Sequence, residues 1–185
     1  HMATADTLLT AEQFLHLPEN GRLAELVRGK LIEMPPPGFR HGKLCARISR
    51  LVGNHVEDND LGHVLTNDSG VITERGPDTV RGPDVAIYLY DRVAKDAEIV
   101  GYPDAPPNLV FEVLSPDDRW PRVHGKVAEY LDAGVTVVCV ADPEAQTVTS
   151  FRADQPPATL TGDEDFSAPD VLGDHTISVG SLFAD

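Results

Sequence analysis

The sequence predicts an α/β (α+β) fold with a mixed central β-sheet flanked by helices, and three observations predict it. Leu44, Ile48, Leu51, Val52 and Val56 recur at helical spacing. Two apolar strand-like runs, 84–89 and 109–114, each carry one acid. A strand–helix–strand order over 109–142 requires parallel neighbours, because only a crossover can join parallel strands. With 185 residues, 41% of them apolar and 24% charged, the chain matches one globular core. A single domain over 3–185 is expected, with His1-Met2 read as an expression-tag remnant.

The elements follow in order. Thr10 and Gln13 form a capping-box pattern, and Phe14, Leu15 and Leu17 give a short helix over about 10–17, ended by Pro18 and Asn20-Gly21. Leu23–Val27 and Lys30–Met34 read as strands joined through Arg28-Gly29, a tight hairpin turn, which puts Glu25 and Glu33 on strands. Pro35-Pro36-Pro37-Gly38 excludes helix and central strand and marks a loop that delivers His41 to a helix entry. That helix spans about 41–58, with Lys43, Arg47 and Arg50 on its outer face.

Residues 63–66 and 70–73 read as short strands and GPDTVRGP as turns, with Pro83 placing Asp84 at the start of the strand 84–89. The stretch 91–108 has no period and holds Pro103, Pro106 and Pro107, which makes it a surface excursion. Leu109–Leu114 is a buried strand, a helix follows over about Arg122–Asp132 up to Ala133-Gly134, and VTVVCVAD is the next strand. TVTSF reads as an outer strand, 153–169 as loop, and HTISVGSLF as a strand with a final turn of helix.

The net charge of −15 argues against broad attraction to nucleic acid, since phosphate binding rests on clustered Lys and Arg. The charge is uneven, however. Residues 22–50 hold seven basic residues against Glu25 and Glu33, whereas from Ala141 onward nine acids face Arg152 alone. Cys45 and Cys139 sit in apolar patterns, read as reduced thiols, and no zinc spacing is present. No apolar run reaches the ~20 residues that span a bilayer, and no secretory pattern follows Met2, so a soluble, cytoplasmic protein is expected.

Apolar strands rarely contain an acid, because an unpaired buried carboxylate costs several kcal/mol. Glu112 lies between Phe111 and Val113 all the same. A solvated face or an arginine partner would account for one such acid. Asp84 on a second apolar strand shifts the reading to a shared cation, and hard cations such as Mg²⁺ take one or two carboxylates with waters and phosphate oxygens. Phosphodiester chemistry also needs a fixed positive group near phosphorus. The position two residues beyond Glu112 is Leu114, so the best candidate is Lys126, on the helix of the same strand–helix–strand unit. The alternative is an ordinary surface lysine.

The strings RGPDVAIYL, LVFEVLSPDDR, KVAEYLDAGV and AELVRGKLIEMPPPGFRHGKL together resemble the Uma-type family of restriction endonucleases, in the PD-(D/E)xK superfamily, from about Leu8 to Phe183. The resemblance implies a restriction-endonuclease-like core, Mg²⁺ or Mn²⁺ as cofactor, DNA as substrate and a homodimer. It makes Asp84, Glu112 and the Val113 carbonyl the metal ligands, Lys126 a catalytic lysine displaced onto the helix, and Glu25 a further acid of the site. His41, with Arg40 and Lys43, would contact substrate. Arg122 stands where relatives often have an aspartate, and Ala24 where an aromatic is usual. Two other readings stand beside it: a nuclease-fold module that binds DNA or a protein with little hydrolysis, and a hydrolase of another phosphate ester.

Overall fold

The computed structural model describes residues 7–18 and 21–184; the expected tag remnant and Asn20 lie outside them. Helix α1 is Ala11–Leu15, with the Thr10/Gln13 capping box formed as expected. Strands β1 (Leu23–Val27) and β2 (Lys30–Met34) pair antiparallel with Val27 opposite Lys30. The two turn residues, Arg28 and Gly29, both take positive φ, 50° and 77°. That is the backbone of a mirror-image two-residue hairpin turn, whose twist matches the strands it joins.

Helix α2 is Phe39–Asp58, followed by β3 (Gly62–Thr66), β4 (Val71–Glu74), β5 (Thr79–Arg81) and β6 (Val85–Leu89). After the long excursion come β7 (Leu109–Val113), α3 (Trp120–Asp132) and β8 (Val137–Asp142). The chain ends with β9 (Thr147–Arg152), β10 (Gln155–Thr161), β11 (Asp165–Ser167), α4 (Pro169–Leu172), β12 (Thr176–Ser178) and α5 (Val179–Phe183).

The strands form a six-stranded sheet in the order β10-β9-β8-β7-β6-β3, a four-stranded sheet in the order β2-β1-β5-β4, and the β11-β12 pair. In the larger sheet β7 and β8 run parallel and the remaining pairs antiparallel, so the sheet is mixed and the strand–helix–strand unit stands as expected. Helix α2 packs Leu44, Ile48, Val52 and Val56 against one face of it, with Val85, Ile87, Leu109 and Phe111. Helix α3 packs Val123, Val127 and Tyr130 against the other face, with Val110, Val138 and Val140. β8 is buried on both faces, which is why its sequence is continuously apolar and not alternating.

Two stretches read as turn and loop are strands. β5 lies within GPDTVRGP; three residues between Gly-Pro pairs carry no periodicity, and pairing with β1 and β4 makes the strand. β10 and β11 both lie within the expected loop: in β10 Pro156 and Pro157 fall where the register shifts between Gln155 and Ala158, a disposition open to an edge strand alone, and the three-residue β11 is made by its pairing with β12. Among the described residues no helix is long and apolar enough to cross a membrane.

Candidate active site

The site lies where the two sheets meet. Only Gly82, Pro83 and Asp84 separate β5 of the smaller sheet from β6 of the larger. A Cβ on Gly82 would lie 2.8 Å from the Asp68 Cβ and 2.9 Å from the Asp68 carbonyl oxygen, so glycine lets the β3–β4 turn close on this crossover. In the β6–β7 ladder Val85 faces Phe111, and one further step of that register sets Asp84 opposite Glu112. The two acids are therefore neighbours across adjoining strands.

Lys126 bridges the sheets. Its Nζ is 2.9 Å from Glu112 Oε1 on β7 and 2.8 Å from Glu25 Oε1 on β1. Tyr130, one helical turn on, donates its hydroxyl to Glu112 Oε1 at 2.7 Å, since positions four apart share a helix face. Glu25, only 2% exposed, also accepts from the Gly82 amide at 3.0 Å and from Arg81 at 2.9 Å. Arg81 in turn holds Glu129 of α3 through two bonds of 2.7 Å, the paired geometry that suits guanidinium and carboxylate. Asp84 Oδ2 accepts from the Val113 amide at 2.6 Å and lies 3.4 Å from His41 Nε2.

These contacts split the acids electrostatically. Burial raises Glu112, and the nearby Asp84 charge adds to that; Lys126 and Tyr130 oppose it, and the carboxyl ends at about 7. Burial raises Glu25 too, but Lys126, the Gly82 amide and Arg81 outweigh it and hold that carboxyl below its ordinary value. Burial would lower Lys126, yet Glu112 and Glu25 keep it well above the ordinary lysine value. His41 is raised by its hydrogen bond to Asp84, against burial, with further help from the Asp84 charge and the Val113 carbonyl. Asp68 is raised, first by burial and then by Asp84.

Of the residues singled out from sequence, Glu25, Asp84, Glu112 and Lys126 come together, and His41 reaches Asp84 from the first turn of α2. The Val113 carbonyl is turned toward His41. Neither acid is tied up by its own arginine: Glu112 has Lys126 and Tyr130, and Asp84 has the Val113 amide and His41. Arg40 instead donates to the Pro143 carbonyl, and Lys43 stands exposed on α2. Arg47 turns to the C-terminal end of α5, donating to Leu182 O at 3.0 Å and to Ala184 O, where the helix carries partial negative charge. The expected basic stripe is thus partly committed to the fold.

Sequence reasoning passed over Arg81, Glu129, Tyr130, Asp68 and Cys45. Lys126, Glu129 and Tyr130 stand at i, i+3 and i+4, and His41 and Cys45 at i and i+4; those spacings were the available signal. Beside His41, Asp84 and Asp68 opens a cleft of about 570 Å³, also lined by Cys45, Asn67 and Arg50. For a hard divalent cation the donor set fits: two carboxylates set opposite each other, one of them raised by burial and its neighbour, with a backbone carbonyl beside them.

No curated protein matches the chain. A solved structure from Anabaena variabilis ATCC 29413, described as a putative nuclease belonging to DUF820, superposes with a TM-score of 0.81 at 23% identity, over 95% of this chain and 97% of that one; it bears out the fold. Residues 11–180 match the family described as Uma2, putative restriction endonuclease. With nearly its whole length inside that match, and with the expected mixed sheet in place, the chain belongs to the Uma2 family of restriction-endonuclease-like proteins.

Proposed function

We propose that the protein is a metal-dependent endonuclease that hydrolyses DNA phosphodiester bonds with Mg²⁺ or Mn²⁺, with a homodimer as the assembly expected from the resemblance. The observation that carries this reading is one lysine ammonium shared by acids from two sheets, with a third acid opposite across the strand pair. Asp84, Glu112 and the Val113 carbonyl would hold the cation. When bound, it supplies positive charge to the phosphate oxygens and acidifies the attacking water.

The chain's own residues divide the remaining work. Both described contacts of Glu112 fall on Oε1, so Oε2 keeps its lone pairs for a cation. Glu25 differs, since Lys126 and the Gly82 amide hold its Oε1 and Arg81 its Oε2. In this reading Glu25 positions Lys126 and is not itself a metal ligand. Lys126, held above its ordinary pKa, stays protonated at neutral pH and cannot serve as a general base. Of its three N–H donors, two point at Glu25 and Glu112, and the third orients water or a phosphate oxygen. His41, kept cationic to higher pH by Asp84, faces substrate phosphate from the cleft wall.

The test is Asp84→Ala with Mg²⁺ or Mn²⁺, on plasmid and on single-stranded DNA. Cleavage is expected to fall by on the order of 10²-fold or more, the usual loss when a fixed electrostatic group is removed from a hydrolytic site. Equal cleavage by wild type and variant would take Asp84 out of the chemistry.

One observation favours a second reading, a nuclease-fold module that binds DNA or protein with little hydrolysis: the net charge is −15, and Arg40 and Arg47 are engaged with backbone carbonyls. Such a module would show no metal-dependent cleavage by wild type under the same assay.

A further inference from the structure

We propose that His41, Cys45 and Asp84 form a second cation site, one that takes a thiophilic divalent ion such as Zn²⁺ and shares Asp84 with the oxygen-donor site. His41 and Cys45 sit four residues apart on α2, so both project from one face of its N-terminal turns toward Asp84. Cys45 Sγ is 3.4 Å from His41 Nδ1, and His41 Nε2 is 3.4 Å from Asp84 Oδ2. One ligand atom from each of the three residues can be chosen so that all lie within 4.8 Å of one another. His41 offers one ring nitrogen to an ion, and a tetrahedral zinc shell with bonds of about 2.0–2.3 Å places its ligands roughly 3–4 Å apart, so the shell closes when the imidazole turns and brings that nitrogen, Sγ and the carboxylate oxygen together from within 4.8 Å.

The donor set selects the ion. One sulfur, one imidazole nitrogen and one carboxylate oxygen suit zinc or cobalt, whereas magnesium and calcium take oxygen ligands. Three protein ligands leave a fourth position, and these residues line the cleft of about 570 Å³, so that position opens to solvent or substrate. The side chains of His41 and Asp84 are only 13% and 11% exposed, which keeps competing water low while access remains. Binding balances as an exchange: the Cys45 thiol and the His41 imidazolium each give up one proton to solvent, the thiolate and the neutral ring coordinate, and the cation takes the place of the two protons.

A consequence rests on the nuclease reading. Asp84 Oδ2 already accepts from the Val113 amide and lies beside His41, so zinc at the cysteine site competes for the carboxylate that the Glu112-side cation would use. Zinc is therefore an inhibitor that magnesium does not mimic.

The site is tested without relying on cleavage, by titrating Co²⁺ into the full chain and following absorption. Thiolate ligation is expected to give a near-ultraviolet charge-transfer band with intense visible bands of tetrahedral cobalt, saturating at one metal per chain and bleached by Zn²⁺. Cys45→Ser is expected to lose the charge-transfer band and weaken Zn²⁺ binding at least about tenfold, while Cys139→Ser keeps both. His41→Gln, which leaves the thiol in place, is expected to lose the tetrahedral visible bands. A wild type without the near-ultraviolet band, or a band that survives Cys45→Ser, overturns the proposal. The nuclease reading fails separately. If no protein cleaves DNA, the cobalt spectrum still reports the site; if cleavage with Mg²⁺ persists in Cys45→Ser with zinc inhibition undiminished, the second site alone falls.

Discussion

Lys126→Met is expected to abolish DNA cleavage and to destabilise the metal-free protein by about 3–5 kcal/mol near pH 8, the usual range for removing one partner of a buried ion pair. The ammonium lies 2.8 Å from Glu25 and 2.9 Å from Glu112, so its loss leaves two carboxylates at the seam between the sheets. Glu25 keeps Arg81 and the Gly82 amide, whereas Glu112 keeps only the Tyr130 hydroxyl among the contacts described. The penalty therefore falls mainly on Glu112 and should shrink at pH 5, where that carboxyl takes up a proton. Urea unfolding at the two pH values measures this. A loss below about 1 kcal/mol at pH 8 would mean that Lys126 behaves as an exposed surface lysine.

Glu112→Gln separates stability from chemistry. In the folded protein the Glu112 carboxyl sits at about 7, above its ordinary 4.5. Between those values the folded state binds the proton more tightly than the unfolded chain, so this group's contribution falls as pH rises from about 4.5 to about 7 and is flat above. The span corresponds to on the order of 3 kcal/mol, with the side chain only 15% exposed. The amide variant should lose that slope and be the more stable protein at pH 8 without metal. It should also lose the rise in melting temperature that millimolar Mn²⁺ gives the wild type. For wild type, metal must displace the Glu112 proton, so affinity should climb as pH rises through 7. An unchanged stability slope in the variant, or an undiminished Mn²⁺ shift, contradicts the assignment.

The parts of the site legible in the sequence are those where charge conflicts with its surroundings. Glu112 interrupts an apolar strand, and Asp84 opens another after Pro83; an acid in either place requires a partner, whatever the fold around it. Lys126 can be singled out because the strand–helix–strand unit limits which helix returns over Glu112. Other members depend on pairing that no local pattern encodes. Arg81 ends a three-residue strand that looks like a turn, and it reaches Glu25 only because β5 pairs with β1. Asp68 approaches the site because Gly82 has no side chain. Arg40 and Arg47 read as part of a basic face, yet they are held by carbonyls 103 and 135 residues away along the chain, a distance over which sequence pattern carries no signal.

The fold shows the same division. Alternating or continuously apolar strands and the long amphipathic α2 declare themselves through period, as does the Arg28-Gly29 turn through its residues. β5 and β10 do not, being short, or interrupted by Pro156-Pro157, and held by their neighbours.

The central claim is that Asp84 and Glu112 hold one divalent cation beside Lys126, and crystals soaked in Mn²⁺ test it most directly through anomalous scattering. The expected result is a single strong peak per chain within bonding distance of a carboxylate oxygen of each acid and the Val113 carbonyl. Well-ordered carboxylates with no peak between them, or manganese held by only one of the two acids, would contradict the account.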